Sequence, residues 1–122
     1  MKGQRQPTAV VLVNLGTPEA ATPKAVRKFL REFLSDPRVV EIPRILWLII
    51  LHLLVLPFRP GRVAEAYKLI WTERGSPIRW ITEDQVAGLS ARLTKRYSDS
   101  PPSVRYAMTY GEPSIPETLN AL

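Results

Sequence analysis

The chain has 122 residues, a formal net charge of +6, one histidine and no cysteine. A chain of this length forms one domain of ordinary size, or one lobe of something larger, and not two independent cores. The lack of cysteine excludes disulfides, thiolate zinc sites, iron–sulfur clusters and cysteine nucleophiles from these residues, and one histidine cannot build a multi-histidine metal centre. The 45% hydrophobic and 23% charged residues are typical of a globular protein.

The surplus of positive charge lies in the first two thirds of the chain. Residues 1–37 carry six basic and three acidic side chains, residues 38–83 carry seven and four, and the remainder is balanced. Nucleic-acid binding proteins show a basic stripe with interleaved aromatic residues, which is missing here, so we expect no nucleic-acid partner. Anionic lipid headgroups or an anionic ligand fit the charge better.

Residues 1–8 are predicted to form a basic N-terminal tail ahead of an α/β unit. The apolar run 9–13 is too short for a signal peptide and predicts a strand that is buried on both faces, as in the middle of a parallel sheet. After the turn at 14–18, Thr22 is a predicted N-cap with Pro23 at the first helical position. One apolar helix face follows, made of Val26, Phe29, Leu30, Phe33 and Leu34. Strand, glycine turn and capped helix open a doubly wound α/β domain.

An apolar helix is predicted over about residues 44–56, ending at Pro57. Thirteen helical residues cover about 20 Å, less than the roughly 30 Å of a bilayer core, so this segment is predicted not to span a membrane. It is a buried core helix, an interfacial helix that dips into a membrane, or a partner-binding surface. Arg44, Arg59 and Arg62 flank it and are placed to meet lipid headgroups. His52, within the run, is interpreted as a packed or interface histidine and not as a general base.

The second half of the chain predicts more helices and a second strand. A polar loop at 72–77 precedes a helix from about Thr82 to Tyr97, with Thr82 as its N-cap. A strand at 104–110 and a helix from Ser114 complete the order β-α-α-α-α-β-α, with a short extended connection at 38–42. Glu32 and Asp36, one helical turn apart, are expected to form a solvated face.

Polar, turn-forming residues follow both predicted strands, at 14–18 and at 109–113. Because ligands of open α/β sheets bind beyond the carboxyl ends of the strands, both clusters are expected to edge one cleft. The alternative is that each is a plain turn between strand and helix. Neither cluster is a dinucleotide fingerprint or a P-loop, and the chain contains no complete catalytic constellation.

Six segments, in order and at sensible spacing over residues 9–122, closely resemble the ferrochelatase family. They are VLVNLGTP at 11–18, FLSDPRVVEIP at 33–43, AEAY at 64–67, IWT at 70–72, GSP at 75–77 and AMTYGEPS at 107–114. The resemblance implies an α/β fold, a Rossmann-like (chelatase-type) three-layer lobe with a parallel sheet, incomplete in this chain. Residues 9–122 would be the N-terminal lobe, with a second similar lobe across the porphyrin.

The family resemblance also implies a reaction and a set of binding residues. Ferrochelatases are lyases of haem biosynthesis that insert Fe²⁺ into protoporphyrin IX (coproporphyrin III in some bacteria) and release two protons. Leu15 matches a position that faces the porphyrin plane, and Ser76 and Tyr110 match positions that line the pocket. Phe33, Leu34 and the helix from Ile45 to Leu56 match the apolar lip of the porphyrin mouth, and Arg59 or Arg62 is placed to meet the propionates. Many members have arginine where this chain has Thr109.

The family's catalytic histidine and its partner glutamate belong to the second half of a longer chain, and His52 is not that histidine. No catalytic residue, metal ligand or resident cofactor is therefore assigned to these residues, and Fe²⁺ and protoporphyrin IX are substrates. We expect a cytoplasmic N-terminal fragment that is inactive alone and lacks its C-terminal lobe. Contact with the inner membrane surface is expected through residues Ile45 to Leu56. The alternative is a non-catalytic module that binds porphyrin or a membrane surface.

Overall fold

The computed structural model describes residues 8–122, so most of the predicted basic tail lies outside the described residues. The elements in chain order are β1 (Ala9–Gly16), α1 (Pro23–Leu34), α2 (Arg44–Ile50), a π-helical turn (Leu51–Val55), α3 (Leu56–Ile70), α4 (Pro77–Arg96), β2 (Ser103–Tyr110) and α5 (Ile115–Asn120).

The two strands pair in parallel, from Ala9 opposite Ser103 to Gly16 opposite Tyr110. Helices flank this two-stranded sheet, so the described residues have the predicted α/β class and the form of an incomplete chelatase-type lobe. The prediction that the first strand is buried on both faces is wrong at its carboxyl end. Val13 and Leu15 are 55% and 48% exposed, because within residues 8–122 this strand packs mainly against β2 and α4.

The buried apolar side chains join α1 and α3 to each other and line β2. Helix α1 begins as predicted, with the Thr22 hydroxyl accepting from the Ala25 amide and Pro23 in the first turn. The buried set comprises Val26, Phe29, Leu51, Leu56, Ala64, Ala107, Met108 and Tyr110.

The apolar helix does not end at Pro57, as predicted, but continues from Arg44 to Ile70. Proline lacks an amide hydrogen, so a helix continues past it only with a local change of winding. The π-helical turn, in which the Leu56 amide bonds to the Leu51 carbonyl, supplies that change directly before Pro57. The resulting 27-residue helix is long and apolar enough to cross a membrane, by length and composition alone. The length argument against a span is therefore wrong.

Three further boundaries differ from the prediction. Strand β1 continues to Gly16, three residues beyond the predicted run 9–13. Helix α4 begins at Pro77, because Ser76 is extended and Pro77 suits the first helical turn. Thr82 is consequently a buried residue inside the helix and not its N-cap; its hydroxyl donates to the Ile78 carbonyl at 2.6 Å. The connection at 38–42 was predicted to be extended, but it begins as a turn, in which the Val39 amide bonds to the Asp36 carbonyl at 3.0 Å.

Candidate functional site

The two parallel strands end side by side, at what we call the carboxyl edge (residues 15–17 and 109–111). Gly16 is opposite Tyr110 and has a φ of +119°, a conformation that side chains other than glycine's rarely adopt. A Cβ atom at Gly16 would lie only 1.9 Å from the Tyr110 carbonyl oxygen. The close approach of the two backbones therefore depends on glycine at this position.

The carboxyl edge is joined to the start of α4 by two buried hydroxyls. Thr17 Oγ1 donates to Ser76 Oγ at 2.6 Å, and the two residues are 7% and 3% exposed. The preceding turn is closed by hydrogen bonds in both directions between Thr72 and Gly75, where Gly75 has a φ of +92°. This turn sets the position of Ser76 against the end of β1.

An ion pair on the outside of α4 braces the same turn. Arg74 donates to both carboxylate oxygens of Asp84, at 2.7 and 3.0 Å, and its guanidinium lies 5.1 Å from the centre of the Trp80 ring. The hydrogen bonds from Arg74 lower the pKa of Asp84. Both partners are about half exposed, so the pair orients the turn more than it stabilises the fold.

At the end of β2, Tyr110 is tied to the residues that follow α1. Its hydroxyl donates to Asp36 Oδ2 at 2.6 Å, and its ring meets the edge of Phe33 with centroids 5.0 Å apart. Arg38 also donates to Asp36, at 2.8 Å. The hydrogen bonds from Arg38 and then Tyr110 hold the pKa of Asp36 far below its usual range, and the bond to Asp36 raises the pKa of Tyr110.

The prediction that Glu32 and Asp36 form a solvated face is confirmed for Glu32, which is exposed, and is wrong for Asp36. Glu32 accepts from the Gly111 amide at 3.0 Å, and the Asp36 side chain is 11% exposed. Both carboxylates fasten α1 to the carboxyl edge. The sequence did hold a local signal for Asp36, since an aspartate before proline favours a turn, and here the Arg38 amide bonds to Asp36 Oδ1 at 2.9 Å.

An open depression of about 890 Å³ lies beside Tyr110 and this carboxylate. Its rim carries charges of both signs: Lys28, Arg31 and Arg38 are basic, and Glu32 and Asp36 are acidic. Within residues 8–122, no group of three or more histidine, aspartate or glutamate side chains is arranged to hold a metal ion.

The structure places five of the six residues predicted to bind porphyrin near the carboxyl edge or the helix ending beside it. Leu15 is half exposed at the edge itself, whereas Ser76 and Tyr110 are buried with their hydroxyls engaged inside the protein. Phe33 is half-buried against Tyr110, and Leu34 is half-buried next to it in the chain. Arg59 is exposed on α3, and no hydrogen bond links it to the other five among the described residues.

The helix from Arg44 to Ile70 turns an apolar surface outward. We call this surface the lip face; it consists of Ile45, Leu46, Ile49, Leu53, Leu54 and Phe58, which are 52–77% exposed. The interpretation as a buried core helix is wrong for α2, none of whose residues is buried. Leu51 and Leu56, at 0% and 5% exposed, are the residues that pack inward.

Polar contacts with α1 hold the opposite side of this helix. Trp47 Nε1 donates to the Leu34 carbonyl at 2.5 Å, and Arg44 donates to the Ser35 carbonyl. Farther along, Arg27 Nε donates to the Leu56 carbonyl at 3.2 Å. The lip face is thus directed away from the core, at the end of α1 that also carries Phe33.

Comparison with known proteins gives a consistent assignment. The sequence model of the ferrochelatase family matches residues 7–122. The chain is 49% identical over 120 residues to a ferrochelatase of Idiomarina loihiensis, covering 98% of this chain and 33% of that protein. It is 54% identical over 120 residues to a ferrochelatase of Herminiimonas arsenicoxydans, covering 98% and 32%. The chain thus spans about a third of the length of these relatives. Together, the fold, the carboxyl edge and the match along nearly the whole sequence show that the chain belongs to the ferrochelatase family.

Proposed function

We propose that this chain is part of an enzyme that inserts Fe²⁺ into protoporphyrin IX to form protohaem. Residues 9–122 supply one wall of the porphyrin cleft and its apolar lip. The observation that supports this best is the carboxyl edge, where the Thr17–Ser76 bond and the Gly16–Tyr110 approach build one continuous surface from two strands and α4. Ligands of α/β sheets bind at such an edge.

The six residues divide into those that contact the macrocycle and those that hold the wall in place. Leu15, Phe33 and Leu34 offer apolar surface to a flat macrocycle, and burial of that surface favours binding. Ser76 and Tyr110 position this wall, because their hydroxyls are already bonded to Thr17 and Asp36. 

Arg59 pairs with a propionate through charge-assisted hydrogen bonds. No residue of this chain is assigned to removing the pyrrole protons or to carrying iron. Both Fe²⁺ and the porphyrin are substrates, and these residues require no resident cofactor.

We further propose that the chain works in the cytoplasm with the lip face against the inner membrane surface. A C-terminal lobe completes the cleft, and the chain alone is inactive; nucleic acid is not a partner. The exposed lip face and the net charge of +6 support contact with anionic lipid.

An absorbance titration with protoporphyrin IX tests the cleft wall. We expect the chain to shift the porphyrin bands, and Leu15→Lys to weaken binding at least tenfold, because it places a charge where the macrocycle lies. Leu69→Lys is the matched control, since Leu69 is 87% exposed on α3 and belongs to neither segment of the carboxyl edge. Unshifted bands, or equal affinities for the wild type and Leu15→Lys, would contradict the proposal.

The second candidate is a non-catalytic module that binds porphyrin or a membrane surface, and the exposed lip face favours it. Adding Fe²⁺ to the same titration examines catalysis directly. A band shift without protohaem is expected of the chain alone under both candidates, whereas protohaem formation would overturn the proposal that it is inactive. Restoring a C-terminal lobe separates the two candidates, because protohaem would then form only if the chain is part of an enzyme.

A further inference from the structure

We propose that the outer face of α1 is a docking surface for an acidic segment of a partner protein. We call this surface the α1 basic face; it consists of Lys24, Arg27, Lys28 and Arg31, which are all exposed. None of these residues belongs to the carboxyl edge or to the lip face, so the proposal does not depend on the proposed function.

The four side chains form one continuous strip of positive charge. They follow one another at intervals of three and four residues within Pro23–Leu34, and residues at this spacing are neighbours on the surface of a helix. The buried residues of α1, Val26 and Phe29, lie on its other face, so the strip is directed to solvent. From Lys24 to Arg31 it extends about 10 Å along the helix axis.

This arrangement of charge works against the stability of the helix itself. Like charges three or four residues apart repel one another, and the α1 basic face contains four such pairs. Lys24 also lies in the first turn, where the helix dipole disfavours a cation, and this turn contains no acidic residue. Residues that break a local rule of stability often mark functional sites. The charge pattern therefore indicates an interaction outside α1.

The rest of the described chain does not neutralise the strip. Among residues 8–122, no ion pair involves any of its four side chains. Glu32 follows Lys28 by four residues, but it accepts from the Gly111 amide at 3.0 Å. Within the same residues, only Arg27 of the four donates a side-chain hydrogen bond, from Nε to the Leu56 carbonyl at 3.2 Å. The other cationic groups of the strip can therefore bind carboxylates of a partner.

The surface beside the strip is concave. A second open depression, of about 540 Å³, is lined by all four basic residues together with Glu19, Thr22 and Ala25. Clusters of arginine and lysine recognise acidic motifs through charge-assisted hydrogen bonds, which arginine can make in bidentate form. Carboxylate side chains of an extended peptide can enter this depression, whereas the flat headgroup layer of a bilayer does not follow its shape.

The position of α1 also favours a protein over a membrane. Helix α1 contacts the side of the long helix that is opposite the lip face, through the bonds from Trp47 to Leu34 and from Arg27 to Leu56. The long helix, about 10 Å in diameter, therefore separates α1 from a bilayer that lies against the lip face. Exposed charges at such a separation are largely screened at physiological salt.

Fluorescence anisotropy of a labelled hexaglutamate peptide, titrated with the full 122-residue chain at low salt, tests the proposal. The double variant Lys28→Glu with Arg31→Glu should bind about tenfold more weakly or worse, because it reverses two charges of the strip. Arg92→Glu with Lys95→Glu is the matched control, since it makes the same charge change at the same spacing on the exposed surface of α4. We expect this control to bind within about twofold of the wild type.

Lys28→Gln with Arg31→Gln separates docking from folding. This variant removes two positive charges and their mutual repulsion. It should weaken peptide binding and should keep or raise the free energy of unfolding in urea. A lower free energy of unfolding would show that these side chains maintain the fold, and it would overturn the proposal.

Three binding results would also overturn the proposal. The first is a wild-type chain that does not bind hexaglutamate, and the second is equal weakening in both charge-reversal variants, which would show a response to net charge alone. The third identifies a membrane surface: Lys28→Glu with Arg31→Glu loses binding to vesicles of phosphatidylglycerol and phosphatidylcholine but keeps its affinity for the peptide. Circular dichroism checks that each variant is folded. Failure of the proposed function is a separate result, read from protoporphyrin and Leu15→Lys.

Discussion

The Asp36 carboxylate connects three parts of the chain, since it accepts from Arg38 and from Tyr110 while closing the turn after α1. These donors depress its pKa in the folded chain, so folding favours its ionised form. The contribution to stability is complete above the pKa of an unfolded aspartate, about 3.9, and is lost as the pH falls below it. We expect the free energy of unfolding to drop between about pH 5 and pH 2, measured by urea denaturation.

Asp36→Asn should be less stable than the wild type at neutral pH and should lose less stability on acidification. Asp84→Asn is the matched control, because Asp84 also pairs with an arginine but is 54% exposed and screened by solvent. Parallel acid profiles for the wild type and Asp36→Asn would show that this network is not coupled to folding.

Tyr110 has the opposite dependence on pH, because its pKa is raised in the folded chain. Its contribution to stability is present below about pH 10 and is lost as the pH rises through the folded pKa.

At the scale of elements, the joint between β1 and β2 depends on Gly16. Gly16→Ala would place a methyl group 1.9 Å from the Tyr110 carbonyl oxygen in a backbone conformation unfavourable to alanine. We expect a loss of about 3 kcal/mol or more in the free energy of unfolding. In contrast, Gly88→Ala in the interior of α4 meets no atom within 4 Å and should add about 0.5–1 kcal/mol. Equal stabilities of the two variants in urea denaturation would contradict this account.

The lip face gives the prediction for the long helix. Leu53→Glu should reduce sedimentation of the chain with anionic liposomes severalfold, because it puts a charge into the apolar surface. Leu51 is not a suitable site for this test: it is fully buried, so a glutamate there would unfold the protein. Leu69→Glu, on an exposed position beyond the lip face, should partition as the wild type does. If Leu53→Glu sediments as the wild type does, contact through the lip face is excluded.

The elements also show where sequence patterns succeed and fail. The N-cap at Thr22 is a local signal, carried by residues that touch each other, and it was predicted correctly. The helix end at Pro57 was predicted from an equally local rule, that proline ends a helix, and is wrong. The π-helical turn over Leu51–Val55 changes the winding just before the proline, so the helix continues. Threonine is a residue type that favours N-cap positions, but Thr82 is buried inside α4, where its hydroxyl also accepts from Asn14 Nδ2 at 3.1 Å.

Over the whole molecule, the sequence predicted the α/β class and the end of β2 but placed the end of β1 three residues too early, and it did not predict the hydrogen bonds between distant segments. The Asp36–Tyr110 bond spans 74 positions and the Thr17–Ser76 bond spans 59, and no periodicity marks such pairs. The placement of Leu15 and Tyr110 at one edge could be expected from the parallel-strand rule, whereas Ser76 was expected there only from the family resemblance. No sequence pattern indicates that Ser76 and Tyr110 are buried and hydrogen-bonded to other side chains of the protein.

The exposed carboxyl end of β1 leads to a prediction that tests the proposed function. Val13 and Leu15 are about half exposed on a sheet of two strands, and the relatives are about three times as long as this chain. A chimera that joins residues 1–122 to the remaining C-terminal part of one of those ferrochelatases should cover these side chains. It should convert Fe²⁺ and protoporphyrin IX to protohaem, whereas the 122-residue chain should not. Leu15→Lys in the chimera should lower the rate at least tenfold, and Leu69→Lys should leave it unchanged. A folded chimera that binds porphyrin without forming protohaem would favour the non-catalytic binding module.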